Sequence, residues 1–84
     1  MKDQNGSYYY PDPNDRSTRM YVRQGSAGPE FRLWRDKMPE VWEKHRWVPH
    51  QTIETMAAMY RQSGSGKADP LLLYDLEVAK ALLR

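Results

Sequence analysis

One stretch of the sequence alternates arginines with aromatic residues, a combination suited to binding a partner. It runs from residue 16 to 37 and contains six basic residues against two acids. Guanidinium groups can bind phosphates and aromatic rings can stack on bases, so the stretch is a candidate nucleic-acid-binding surface. The alternative is that one side of these residues packs in the core while the arginines are solvated. The residues that carry the pattern are Arg19, Tyr21, Arg23, Arg32, Trp34 and Arg35.

A protein-interaction role is the other function that the composition favours, and we expect it ahead of nucleic-acid binding. The chain has three Trp, six Tyr and five Met, and Trp, Tyr and Arg dominate binding hot spots. Trp47 falls off the apolar face of its predicted helix and is a candidate exposed anchor; the alternative places it in the core. The last predicted helix has an unusually wide apolar arc, which is typical of either a central core helix or half of a dimer interface. The expected partner is therefore another protein or a second copy of the chain, the latter through Leu72, Leu76 and Leu83.

Catalytic, metal and cofactor sites are not predicted. His45 and His50 are the only histidines and there is no cysteine, whereas a metal site usually needs three or four converging ligands. Residues 64–67 (GSGK) share glycines and a lysine with phosphate-binding loops, but they follow a predicted helix, and Ala68 replaces the usual Ser or Thr. No Ser, His and acid set has a catalytic motif around it. We therefore expect a protein that is not an enzyme and has neither a cofactor nor a small-molecule substrate.

The elements around the basic stretch are expected to form a small antiparallel sheet. Residues 20–23 and 31–34 are apolar and aromatic runs on either side of a loop whose glycines, Gly25 and Gly28, suit a tight reversal. The tyrosines at 8–10 form a further short run. A competing interpretation continues Phe31 and Trp34 into one helical stripe with residues 38 and 42, although a proline at position 39 would break such a helix.

Three helices are predicted after the sheet, at about 39–46, 49–62 and 70–83. A proline stands in the first turn of each, where its missing N–H costs nothing, and Asp69 is a suitable N-cap for the third. The predicted fold is therefore α+β, with a short antiparallel hairpin or three-stranded ribbon from about residue 8 to 35 packed on these helices. An all-α fold is the alternative.

The length and polarity of the chain predict its organisation and location. Residues 1–7 are polar without periodicity, so we expect a disordered N-terminal end followed by a single small domain at 8–84. The net charge of +2 neither demands nor excludes a polyanionic partner. No secretory signal is recognisable, and no apolar run approaches the roughly 18 residues of a membrane span. Together with the lack of cysteine, this predicts a cytoplasmic protein without a membrane partner.

Overall fold

A five-stranded antiparallel sheet forms the N-terminal part of the protein. The computed structural model describes residues 1–62 and 74–84, with side chains described up to residue 59 in the first range. The two long central strands have eight residues each, and the outer strands are shorter. In the sheet the strands follow chain order: β1 (Lys2–Asp3), β2 (Gly6–Tyr9), β3 (Thr18–Gly25), β4 (Gly28–Arg35) and β5 (Val48–Pro49).

The β3–β4 hairpin organises the sheet. Gly25 pairs with Gly28 across the turn, and Gly28 has a φ of 120°, a conformation that L side chains rarely adopt. Because side chains alternate between the two sides of a strand, this register places every second residue of both strands on one side of the sheet. Those residues pair as Met20 with Leu33 and Val22 with Phe31.

The described helices are α1 (Glu40–His45), α2 (His50–Gln62) and α3 (Leu76–Leu82). The hydrophobic core lies between α2, α3 and the side of the sheet that carries Met20 and Phe31. Burying an aliphatic or aromatic side chain contributes about 1.5–3 kcal/mol, so the core is the main source of stability. Among the described residues no helix is long and apolar enough to cross a membrane. The buried core cluster comprises Met20, Val22, Phe31, Leu33, Ile53 and Ala79.

Two tyrosines connect the C-terminal segment to the rest of the molecule. The Asp75 N–H donates to the Tyr9 hydroxyl at 2.8 Å, which joins β2 to the start of α3. The Tyr74 hydroxyl lies 2.7 Å from His45 Nε2, and its ring meets Phe31 edge-on at 5.5 Å. The segment from Tyr74 onward is therefore attached to both the sheet and α1.

The structure confirms the predicted α+β class and corrects the extent of the sheet. The sheet has five strands instead of two or three, and the all-α alternative is wrong. Residues 31–35 form a strand because they pair with 18–22 of β3, so the helical spacing of Phe31 and Trp34 is coincidental. The fifth strand arises where Val48 pairs with Phe31 at the other edge of β4.

The two ends of the chain also differ from the sequence-based expectations. The segment 1–7, expected to be disordered, forms β1 and the beginning of β2, with Asp3 hydrogen-bonded to Tyr21 of β3. The third helix was expected from residue 70, but Tyr74 and Asp75 are not helical. Asp75 is extended (φ −94°, ψ 102°) and its carboxylate caps the helix by accepting from the Val78 N–H. The predicted cap at residue 69 lies outside the described residues.

Candidate functional site

The side of the sheet that faces away from the core carries a continuous group of arginine and aromatic side chains. The two-residue period of a strand places Arg19, Tyr21 and Arg23 opposite to the core residues of β3. Across β4 they pair with residues 34, 32 and 30, and Tyr8 of β2 lies opposite Tyr21. We name this surface the arginine-aromatic face. Its members are Tyr8, Arg19, Tyr21, Arg23, Arg32 and Trp34, together with Trp42 and Trp47, which pack over them.

Arg19 lies between two aromatic rings of this face. Its Cζ is 4.7 Å from the ring centroid of Tyr8 and 4.6 Å from that of Trp34. Its Nη1 lies 3.2 Å from Asp3 Oδ2 and 3.1 Å from the Tyr21 hydroxyl oxygen. A guanidinium is attracted to the electron-rich faces of aromatic rings. From its own strand β3, Arg19 therefore contacts β2 and β4 through these rings and β1 through Asp3.

Asp3 and Tyr21 share a hydrogen bond that shifts the pKa of both groups. The Tyr21 hydroxyl donates to Asp3 Oδ2 at 2.6 Å. Burial of the Asp3 carboxyl opposes ionisation, but hydrogen bonds from Tyr21 and the Asn5 N–H and the charge of Arg19 outweigh it, so the pKa of Asp3 is lowered. Burial, and then the hydrogen bond to Asp3, raise the pKa of Tyr21. At neutral pH the pair is therefore a carboxylate and a neutral phenol.

Helix α1 places Trp42 over the other half of the arginine-aromatic face. The Arg32 Nε donates to the Trp42 carbonyl at 2.8 Å, and the Arg32 Cζ lies 3.9 Å from the Trp42 ring centroid. The Trp42 ring also meets Tyr21 nearly edge-on, with a centroid distance of 5.3 Å and an interplanar angle of 77°. Arg32 therefore fixes both the backbone and the ring of Trp42 against the sheet.

Trp47 extends this cover beyond the end of α1. Arg46 ends the helix with a φ of 57°, a left-handed conformation that redirects the chain toward β5. The Trp47 ring packs edge-on against Trp42, with ring centroids 6.2 Å apart. The Arg23 Cζ lies 4.4 Å from the centroid of the Trp47 ring. Arg23 Nε also lies 2.6 Å from Glu30 Oε1. Each of the three arginines on this side is thus engaged with at least one ring.

An open pocket of about 450 Å³ lies beside Trp34 and Trp42. Glu40 and Glu43 are three residues apart on α1 and therefore share one side of the helix. Pockets of roughly 300–1,000 Å³ commonly hold small ligands. The pocket is lined by Asn5, Trp34, Pro39, Glu40, Trp42 and Glu43.

The described lining of the pocket has groups that can bind a ligand. This lining contains indole rings and carboxylates, without a Ser, Cys or His that could act as a nucleophile or as a partner base. Across residues 1–62 and 74–84, no three His, Cys, Asp or Glu side chains converge to hold a metal ion. The arrangement therefore suits recognition by stacking and charge.

The structure brings together most of the residues predicted to bind a partner, with one exception. Arg35 pairs with Thr18, so both residues lie on the core side of the sheet and not on the arginine-aromatic face. Arg35 is exposed there because it is at the end of its strand. Trp47 is half-buried and lies between α1 and β5. The predicted residues that do belong to the arginine-aromatic face are Arg19, Tyr21, Arg23, Arg32, Trp34 and Trp47.

The leucines predicted to mediate self-association do not form one described surface. Leu72 lies outside the described residues, and Leu76 is half-buried at the start of α3. Leu83 packs against the core cluster. Self-association through these residues stays a prediction.

Sequence reasoning missed the acidic and helical parts of the site. The sequence does not single out Trp42, Glu40 or Glu43 as binding residues, although all three line the pocket. The alternation of charged and apolar residues along β3 was a usable signal for the face. Asp3 had no local signal, because its partners Arg19 and Tyr21 are 16 and 18 residues away in the chain.

Comparison with known proteins provides no relative from which a function could be transferred. No protein-family model matches the chain, and neither does any curated protein or solved structure.

Proposed function

We propose that this chain is a non-catalytic protein-interaction module that binds its partner at the pocket beside Trp34 and Trp42. The supporting observation is that both tryptophans are only half-buried and contribute to the lining of one pocket. Tryptophan is enriched among residues that contribute most to binding, because it provides a large, rigid apolar surface. The two rings are the anchors to which a partner side chain would bind.

The contacts behind these rings support binding with little rearrangement. Trp34 is held by the guanidinium of Arg19 at 4.6 Å, and Trp42 by that of Arg32 at 3.9 Å. The Trp42 carbonyl also accepts the 2.8 Å hydrogen bond from Arg32. A site whose side chains are ordered before binding loses less conformational entropy when the partner arrives.

The same contacts favour a protein partner over a nucleic acid. Phosphate binding requires cations that can approach the nucleic-acid backbone. Arg19 is paired with Asp3, and Arg23 is paired with Glu30 at 2.6 Å. Their charge is therefore partly neutralised within the protein, although both residues belong to the basic stretch.

The proposal can be tested by selecting peptides from a phage-displayed library on the purified protein. We expect selected peptides to shift the indole N–H signals of Trp34 and Trp42 in an NMR titration. Trp34→Ala should weaken their binding at least about tenfold, which is the effect of losing a hot-spot residue. A matched control is Met59→Ala, which removes an apolar side chain that is 64% exposed on α2 and should leave binding unchanged.

A second variant covers the case in which Trp34→Ala fails to fold. Glu43→Lys alters an exposed residue of the pocket and should also weaken binding while keeping the backbone NMR spectrum. Peptides that bind equally well to both variants would overturn the proposal. Salt-sensitive binding of labelled oligonucleotides that is lost in the Arg19→Glu and Arg23→Glu double variant would overturn it in favour of nucleic-acid binding.

A further inference from the structure

The ionisable residues that line the pocket are both acidic. Glu40 and Glu43 provide two carboxylates, and the other lining residues are uncharged. The chain as a whole carries a net charge of +2, so the charge of the pocket lining is opposite in sign to that of the chain. The pocket therefore favours a positively charged group of the partner.

Each tryptophan of the pocket already stacks against an arginine side chain of the protein itself. A guanidinium lies over each ring, that of Arg32 at 3.9 Å from Trp42 and that of Arg19 at 4.6 Å from Trp34. Tryptophan is the best aromatic partner for a cation, and the planar guanidinium stacks on it more readily than an ammonium does. The chemistry of these rings therefore suits a further guanidinium.

The nearby arginines do not cancel the attraction of the carboxylates. Arg19 is 3.2 Å from Asp3, so this pair is close to neutral. Arg32 contributes one positive charge, which is less than the two negative charges of Glu40 and Glu43. The sum of the charges over Glu40, Glu43, Arg32 and the Arg19–Asp3 pair is therefore −1.

We propose that the pocket binds an arginine side chain of the partner protein, with the guanidinium stacked on Trp34 or Trp42 and paired with Glu40 or Glu43. This inference rests on the proposed interaction function and specifies the residue that the module recognises. The volume of about 450 Å³ accommodates a long side chain together with some of its flanking backbone. Stacking gives affinity for the planar group, and the two carboxylates give selectivity for its charge.

The test uses N-acetyl-arginine amide as the probe and N-acetyl-citrulline amide as its uncharged counterpart of nearly the same shape. We expect the arginine probe to shift the indole N–H signals of Trp34 and Trp42 in an NMR titration. The citrulline probe should bind about tenfold more weakly, as expected for loss of a cation–π and an ionic contact. The Glu40→Gln and Glu43→Gln double variant should abolish this preference and preserve the fold.

The matched control is Glu77→Gln, which removes an exposed carboxylate from α3 on the core side of the sheet and should leave the preference unchanged. Equal binding of the two probes, or no shift of either indole signal with the arginine probe, would overturn this inference. The library selection distinguishes the two proposals. Peptides that depend on Trp34 but lack arginine would refute the arginine assignment alone, whereas the absence of Trp34-dependent peptides would refute the interaction function as well.

Discussion

Arg19 stabilises the sheet through several contacts that depend on one another. Its side chain is 28% exposed and lies between Tyr8 and Trp34. Its Nε is buried and has no hydrogen-bond partner among the residues that the structure describes. An N–H next to an aromatic ring interacts only weakly with the π electrons. The stacking of both rings and the contact with Asp3 must therefore offset the free-energy cost of burying that N–H without a hydrogen bond.

Replacing Arg19 should destabilise the fold much more than replacing an arginine outside the face. We expect Arg19→Ala to lower the free energy of unfolding by about 2 kcal/mol, because a charged hydrogen bond and two cation–π contacts are lost. Arg35→Ala, at an exposed position on the other side of the sheet, should change it by less than about 0.5 kcal/mol. Urea denaturation of the two variants measures the difference. Similar losses in both would contradict the role given to Arg19.

The sequence predicted individual binding residues better than the pocket that they help to form. The arginines and aromatics of β3 and β4 are visible as an alternating pattern, and the strands bring them together directly. The pocket depends instead on how α1 folds back over the sheet. The contact of Arg32 with the carbonyl of Trp42, ten residues further along the chain, helps to fix that orientation. No local pattern encodes this contact.

The central hairpin was predictable because its signal is local, whereas the outer strands were not. Gly25 and Gly28 mark the turn, and the runs on either side have the alternation of half-buried strands. In contrast, β1 and β5 have two residues each. Strands this short have almost no intrinsic preference and form because a neighbouring strand offers hydrogen bonds. The spacing of Phe31 and Trp34 fits a helix as well as a strand, and the pairing of β4 with β3 decides between the two.

Gly28 should be sensitive to substitution because of its backbone conformation. Its φ of 120° strains any side chain, although a Cβ built at this position meets no atom within 4 Å. Gly28→Ala should therefore destabilise the protein by about 1 kcal/mol or more through the backbone alone. Ser26→Ala, in the same turn but without a positive φ, is the control and should have little effect. Thermal denaturation compares the variants, and equal midpoints would refute the strained-turn explanation.

The hydrogen bond between Tyr9 and Asp75 joins parts of the chain that are 66 residues apart. Burial raises the pKa of Tyr9 from 10.0 to about 12. The unfolded chain therefore loses this proton at a lower pH than the folded protein does. The stabilising effect of the protonated phenol is complete below pH 10.0 and is lost as the pH rises toward 12.

Tyr9→Phe should reveal this contribution as a pH-dependent difference in stability. At neutral pH the variant should be less stable by about 1 kcal/mol, because the Asp75 N–H loses its acceptor. As the pH rises above 10.0, wild-type stability should fall more steeply, so the difference between the two proteins should shrink. Urea denaturation at a series of alkaline pH values measures both curves. A difference that stays constant with pH would show that Tyr9 ionises equally in both states.

The shortness of the outermost strands restricts how the molecule can associate with other chains. An exposed sheet edge attracts further strands by offering a row of free backbone N–H and C=O groups, and this is a common origin of aggregation. Here β1 and β5 present only two residues each, and Pro49 has no N–H to donate. Addition of a strand at either edge would gain few hydrogen bonds. The two outermost strands themselves therefore offer little to edge-to-edge polymerisation.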